Sequence, residues 1–362
     1  MPAAADLARQ SAQRVLSAAQ TLFPGYFALV MATGIVSIAC HLLAIPAAPS
    51  VLLGVNWIAY AALFTLTLVR LFKFPAQALN DASDFKRAPG FFAIVAGTCM
   101  LGAQTMVVAN GSAIAIVLWY AGLGLWFLVM YSFFTAMTLS EHKPPLASGI
   151  SGAWLMASVA SQSIAVLRAS LDAGDAPPPA LQLLCLVMFM IGCMLYLTII
   201  PLISYRLAFF RFETTDFTPP YWINMGAVAI TTLAGSLLIS HANKWPLLSS
   251  YIGFLRGFTL FFWAAATWWI PFLIILTVWR YLVRRDRLQY EPQFWSMVFP
   301  LGMYAVATFE LSRAEALPFL AAIARIFGFV ALTAWSLTFA GLIAQLVHSS
   351  AEPAEVDAAH QQ

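Results

Sequence analysis

Charge is the scarcest property of this 362-residue chain. Asp, Glu, Lys and Arg together supply 9% of it, against roughly 25% in a water-soluble domain, so no solvated surface can cover the molecule. None of the four occurs from Phe23 to Val69 or from Ala88 to Ser140. Cysteine is nearly as rare. Cys40, Cys99, Cys185 and Cys193 lie singly in apolar surroundings, without a CxxC pair, which excludes a disulfide framework and a thiolate metal site. Phosphate loops, HExxH and nucleophile motifs are absent. Of the five histidines, His142, His348 and His360 fall in loops or the tail, and His41 and His241 at helix ends. The chain therefore reads as neither an enzyme nor a metal or haem protein, and no cofactor is expected.

What remains is apolar. Hydrophobic residues make up 62% of the sequence, and the mean hydropathy is +0.83. A bilayer-spanning helix needs about 20 mostly apolar residues, and each charge-free run has room for two. Ten spans are predicted, at 23–43, 50–74, 89–110, 113–140, 147–170, 180–209, 220–240, 252–282, 292–312 and 318–347. Turn-forming residues separate them, among them Pro46, Pro49, Asn110-Gly111, Pro144-Pro145, Pro177 to Pro179, Pro219-Pro220 and Pro246. Residues 1–22 read as a cytosolic lead-in without a cleavage site, 23–347 as one ten-helix transmembrane domain, and 348–362 as a disordered cytosolic tail.

Basic residues set the orientation. Thirteen Lys and Arg fall at the N-terminus and after helices 2, 4, 6 and 8, and three in the opposite loops. The positive-inside rule then places both termini in the cytoplasm of a plasma (bacterial inner) membrane. On the outer side, Glu310 is expected to pair with Arg325.

The odd-numbered helices repeat. Helix 1 begins PGYFALVMATG, helix 3 PGFFAIVAGTC, helix 5 SGAWLMASVAS, helix 7 PPYWINMGAVA and helix 9 PQFWSMVFPLG. Aligned on Phe27, Phe92, Trp154, Trp222 and Trp295, each copy has a small residue seven positions on: Gly34, Cys99, Ser161, Ala229 and Gly302. Five like-oriented hairpins imply a rotational axis along the membrane normal. The odd helices carry the small and weakly polar residues, and the even ones the aromatics. The odd set is therefore expected to line the axis, since polar groups are costly against lipid. The bland alternative is that the small residues only pack helix on helix.

Four positions after the anchor stand Met31, Ala96, Ser158, Gly226 and Phe299, with Pro300 next. Proline inside a helix removes a backbone hydrogen bond and bends it. Phe299 can therefore cross the axis as a hydrophobic constriction, or it can simply pack against a neighbour. An axis free of mid-depth charge favours a passive conduit. Five helix N-termini converging on the cytoplasmic end favour anions.

PGYFALVMATGIVSIA, GAWLMASVASQS, PPYWINMGAVAITTLAGS and FWSMVFPLGMYAVATFEL resemble the tellurite-resistance/dicarboxylate transporter family, which includes the slow-type anion channels of plants. The likeness spans roughly residues 22–347 and is nearest the bacterial tellurite-resistance/C4-dicarboxylate branch. It implies an all-α integral membrane fold of ten transmembrane helices, arranged as five helical hairpins around a quasi-five-fold axis, with the odd helices lining a central pore. It also implies a homotrimer and a helix-9 phenylalanine gate, which falls on Phe299 beside Pro300. Phe294 and Phe309 are lesser alternates. The expected lining is Met31, Gly34, Ala96, Cys99, Ser158, Ser161, Gly226, Ala229 and Gly302. The expected partners are the lipid bilayer and a small anion, inorganic monovalent or C4-dicarboxylate, with no nucleic acid. The alternative function is a proton-coupled carrier of dicarboxylate, sulfite or tellurite.

Overall fold

The computed structural model describes residues 2–171 and 176–351, and among these the chain is helical without a strand. In order come α1 (Pro2–Thr21), α2 (Ala28–Leu42), α3 (Ala48–Lys73), the short α4 (Pro75–Ser83), α5 (Phe92–Ala109), α6 (Ser112–Leu139), the single turn α7 (Leu146–Gly149), α8 (Met156–Leu171) and α9 (Pro179–Phe209). Then follow α10 (Ile223–His241), the single turn α11 (Pro246–Ser249), α12 (Ile252–Val278), α13 (Trp295–Ala314) and α14 (Leu320–Ala351). The lead-in forms a helix, α1, and the last helix runs on to Ala351. The rest of the expected tail lies outside the described residues.

Five helices close a ring. α2 packs on α5, α5 on α8, α8 on α10, α10 on α13, and α13 returns to α2. These are the odd-numbered predicted spans. Each carries its hairpin partner on the outside: α3 on α2, α6 on α5, α9 on α8, α12 on α10 and α14 on α13.

Every ring helix starts with one tight 3-10 turn: Pro24–Phe27, Ala88–Phe91, Gly152–Leu155, Pro219–Trp222 and Pro292–Phe294. Proline stands first or second in four of the five turns. Its fixed φ suits a first turn, where the missing N–H has no helical partner anyway.

Nine helices among the described residues are long and apolar enough to span a bilayer, where ten were predicted. The fifth predicted span, α8, is not among the nine. Its physical setting explains why: every residue from Met156 to Ala169 is buried, so α8 needs no lipid-facing apolar surface and can carry Ser158, Ser161, Gln162, Ser163 and Arg168.

Several polar groups inside the bundle find partners on neighbouring helices, as a low-dielectric interior favours, although both amide atoms of Asn224 on α10 are buried without one. Trp335 Nε1 donates to Thr33 Oγ1 at 2.9 Å, and Trp126 Nε1 to Ser161 Oγ at 2.9 Å. The Tyr60 hydroxyl meets Thr98 Oγ1 at 3.0 Å. In all three cases an outer-helix ring reaches inward to a ring-helix hydroxyl. Asn56 on α3 donates to Gln104 Oε1 at 2.6 Å and to the Val30 carbonyl at 3.1 Å.

Charge ties the ends of the outer helices. Arg70, at the end of α3, pairs with Asp81 at 2.5 Å and donates to the carbonyls of Ala19 and Gln20 at the end of α1. Arg206, at the end of α9, pairs with Asp216 at 3.0 Å. Arg280, just past α12, pairs with Asp286 at 3.2 Å. Arg87 and Arg211 are also ion-paired, to Asp81 and Glu213. Five of the thirteen basic residues that set the predicted orientation are thus ion-paired locally, through four carboxylates.

Candidate functional site

The starts of all five ring helices meet at one cavity of about 190 Å³. Its wall takes two residues, three apart, from each start: Gly25 and Ala28, Gly90 and Ala93, Ala153 and Met156, Pro220 and Ile223, Gln293 and Ser296. All five helices therefore run the same way, with their N-termini facing one mouth.

This lining corrects the repeat at α8. The expected anchor was Trp154, yet the cavity takes Ala153 and Met156, one residue later than that alignment requires. The buried residue equivalent to Phe27, Phe92, Trp222 and Trp295 is Leu155, fully enclosed. The hydroxyl bonds agree, because Thr33, Thr98 and Ser161 each lie six residues after Phe27, Phe92 and Leu155. Trp154 instead sits at the rim, donating to the carbonyls of Gly149 at 3.0 Å and Phe85 at 3.2 Å.

A second cavity, of about 660 Å³, opens at the far end. It is lined by Val107, Ser170, Leu237 and Glu310, each fifteen residues after its corrected anchor, together with His241, Arg256 and Arg313. The two mouths thus define one face on α5, α8, α10 and α13, and the repeat carries it to α2, which lines the first mouth alone. With about 3.6 residues per turn, the positions four after the anchor lie on that face. They are Met31, Ala96, Val159, Gly226 and Phe299.

Two groups of expected lining residues do not fit this face. Ser158 belongs to the outer seam, its hydroxyl donating to the Gly192 carbonyl on α9 at 2.7 Å. Val159 takes its place, and the cause is the one-residue register error at Trp154. The positions seven after the anchor lie about a quarter-turn off the face. There a Cβ on Gly34 would stand 2.8 Å from Met100 Cγ, and one on Gly302 would stand 2.8 Å from Ile35 Cγ2. Cys99 Sγ would be 2.5 Å from a Cβ on Gly122 of α6. Ser161, six after Leu155 in the corrected register, accepts the Trp126 indole, and Ala229 is fully enclosed. These residues let helices approach closely, so the packing role held open from the sequence is the one the contacts support.

Phe299 is 1% exposed and lines neither mouth. The following Pro300 rests on α10, where a Cβ on Gly226 would stand 2.7 Å from Pro300 Cγ. Only glycine leaves room for that ring. One turn beyond Phe299 the same face presents Ile35, Met100, Ser163, Ile230 and Met303, all buried and uncharged.

The start of α13 is held by Tyr290, a residue not singled out from the sequence. Its hydroxyl accepts from Trp295 Nε1 at 3.0 Å and lies 3.4 Å from the Tyr26 hydroxyl. Burial, then the neighbouring Tyr26 hydroxyl, pushes the Tyr290 phenol well above its ordinary value, so it stays neutral.

Charges cluster at the two ends. The starting mouth is lined by Lys86, Arg206 and Asp216. At the far mouth Glu310 pairs with Arg313 at 3.5 Å, and Glu315 with Arg256 at 3.7 Å. The expected Glu310–Arg325 pair is thus replaced by one a single helical turn away, which needs no reach between helices. No group of three or more potential metal ligands occurs among the described residues.

An all-helical bundle of like-oriented hairpins, with nine described helices long and apolar enough to span a bilayer, is the build of a multi-pass membrane protein. Residues 21–343 match the SLAC1 family model, described as voltage-dependent anion channel, and the chain belongs to that family. Among curated relatives, an uncharacterized membrane protein of Mycobacterium tuberculosis is 40% identical over 152 residues, covering 42% of this chain and 77% of the relative. An uncharacterized transporter of Methanocaldococcus jannaschii is 23% identical over 313 residues, covering 83% of this chain and 86% of that protein. A second transporter of that organism, also uncharacterized, is 31% identical over 117 residues, 32% of each chain.

Proposed function

We propose that the ring encloses a pathway for small anions, shut in this conformation by Phe299. The observation that carries this reading is the position of that ring. It lies on the one face shared by both mouths, at a depth with no solvent access. Five N-termini directed at the starting mouth favour anions there, each equivalent to roughly half a positive charge. The starting mouth is taken as cytoplasmic, with both termini on that side of a bacterial inner membrane. Three copies would assemble with one pathway each. The lining is Met31, Ala96, Val159, Gly226 and Phe299, with Pro300 fixing the bend.

The test is Phe299→Ala in voltage-clamped bilayers. Anion current should rise by more than about tenfold, because even 1.4 kcal/mol off a barrier gives that factor. No increase in correctly inserted protein would refute the gate.

Glu310 supports the alternative, a proton-coupled carrier of dicarboxylate, sulfite or tellurite, because its carboxylate lines the far mouth in line with the same face. Under that alternative, Glu310→Gln abolishes uptake driven by a pH gradient in proteoliposomes. Under the channel reading it leaves the reversal potential unchanged.

A further inference from the structure

We infer that the cavity at the starting mouth is a loading site for a small monovalent anion, and that Lys86 sets its preference for single charge. This rests on reading that cavity as the inner end of the pathway. Three charged side chains line it, and two cancel. The Arg206 guanidinium is committed to Asp216 Oδ1 at 3.0 Å, to the Ile150 carbonyl at 3.1 Å and to the Tyr221 hydroxyl. Lys86 forms no ion pair among the described residues, although its neighbour Arg87 is taken by Asp81. The cavity therefore carries one uncompensated positive charge beside neutral donors, among them the Ser151 and Ser296 hydroxyls and the Gln293 amide.

Valence follows from that count. A monovalent anion is neutralised by Lys86, and the hydroxyls replace part of its hydration shell. A dicarboxylate brings a second charge, for which the wall offers no free cation and presents the Asp216 carboxylate instead. Selection at this end thus acts against C4-dicarboxylates before the Phe299 constriction is reached. The main chain at Lys86 is fixed beside the cavity. Its own N–H donates to Asp84 Oδ1 at 2.7 Å, and the Arg87 guanidinium lies 5.5 Å from the Phe23 ring centroid, Phe23 being another wall residue.

Occupancy can be read without transport. The four native cysteines are buried, so Ser296→Cys offers one accessible thiol to a sulfonate-bearing thiol reagent. In full-length protein, nitrate should slow this labelling, and succinate at equal ionic strength should not. Lys86→Gln should raise the half-protecting nitrate concentration about fivefold, the factor for one charge pair at about 4 Å in a water-filled mouth. Lys86→Arg should restore it. Protection by succinate at lower concentration than nitrate, or protection indifferent to Lys86→Gln, overturns the proposal. Gln293→Cys, on the same wall, serves if Ser296→Cys does not fold. A Phe299→Ala protein that carries no anion current would refute the gated pathway yet leave the labelling result readable. The reverse pattern would remove the loading site alone.

Discussion

The five ring helices and the five that surround them obey opposite rules. In four of the ring helices 72–89% of the spanning window is buried inside the protein, against 17–50% in the outer five. Enclosure frees a ring helix from the need to be greasy. It can use glycine, serine and glutamine, provided its polar atoms meet a partner. An outer helix faces lipid and must be apolar there. It contributes to the interior through single long rings, as Trp126, Trp335 and Tyr60 do. The two layers divide the work between close backbone approach and long polar reach.

The sharpest way to break this division is at the ends of the outer helices, which lack the mutual burial of the ring and are tied by ion pairs. Asp81→Asn leaves Arg70 and Arg87 without their shared carboxylate and should cost about 3–5 kcal/mol, seen as a large drop in Tm. Arg211→Ala, at an exposed pair, should change stability by less than about 1 kcal/mol.

Glycine gives the next test. Gly226→Ala forces a methyl group against Pro300 and should destabilise by about 1–3 kcal/mol. Gly124, on outer helix α6, has nothing within 4 Å of an added Cβ. Gly124→Ala should therefore stabilise by about 0.5–1 kcal/mol. Equal effects at the two positions in a thermal-shift series would contradict the layered picture.

The smallest effect belongs to the indole bridges. Trp335→Phe keeps the ring but removes the donor to Thr33, and should cost about 0.6 kcal/mol, the average for a hydrogen bond between membrane helices. Thr33→Val in the same background should then add little.

Much of this plan was legible in the residues. Charge-free runs broken by Pro46 and by Asn110-Gly111 marked the first two hairpins, and the contrast in composition told inner from outer helices. The anchor in α8 was not legible, because an aromatic matched an aromatic while the true equivalent, Leu155, sat one place on. The small residues at Gly34, Cys99 and Gly302 sit at close side-chain approaches, the packing role that the sequence also left open. A side chain off the axis by a quarter-turn looks identical in sequence to one on it. Tyr290 gave no signal, since a lone loop tyrosine carries no periodicity. The pairing of Arg206 and Arg280 with acids in the following loop depends on how that loop folds back, which charge counting does not reveal.

The enclosure of α8 also bears on how the chain is made. A segment carrying four serines, a glutamine and an arginine in sixteen residues is a poor substrate for lateral release from a translocon, which weighs each helix by its apolarity. The next segment, α9, has the highest hydropathy of the nine spans. Its carbonyls at Gly192 and Phe189 receive the Ser158 hydroxyl and the Gln162 amide of α8. Biogenesis should therefore bring the two into the bilayer together, with α9 acting as an intramolecular escort for α8.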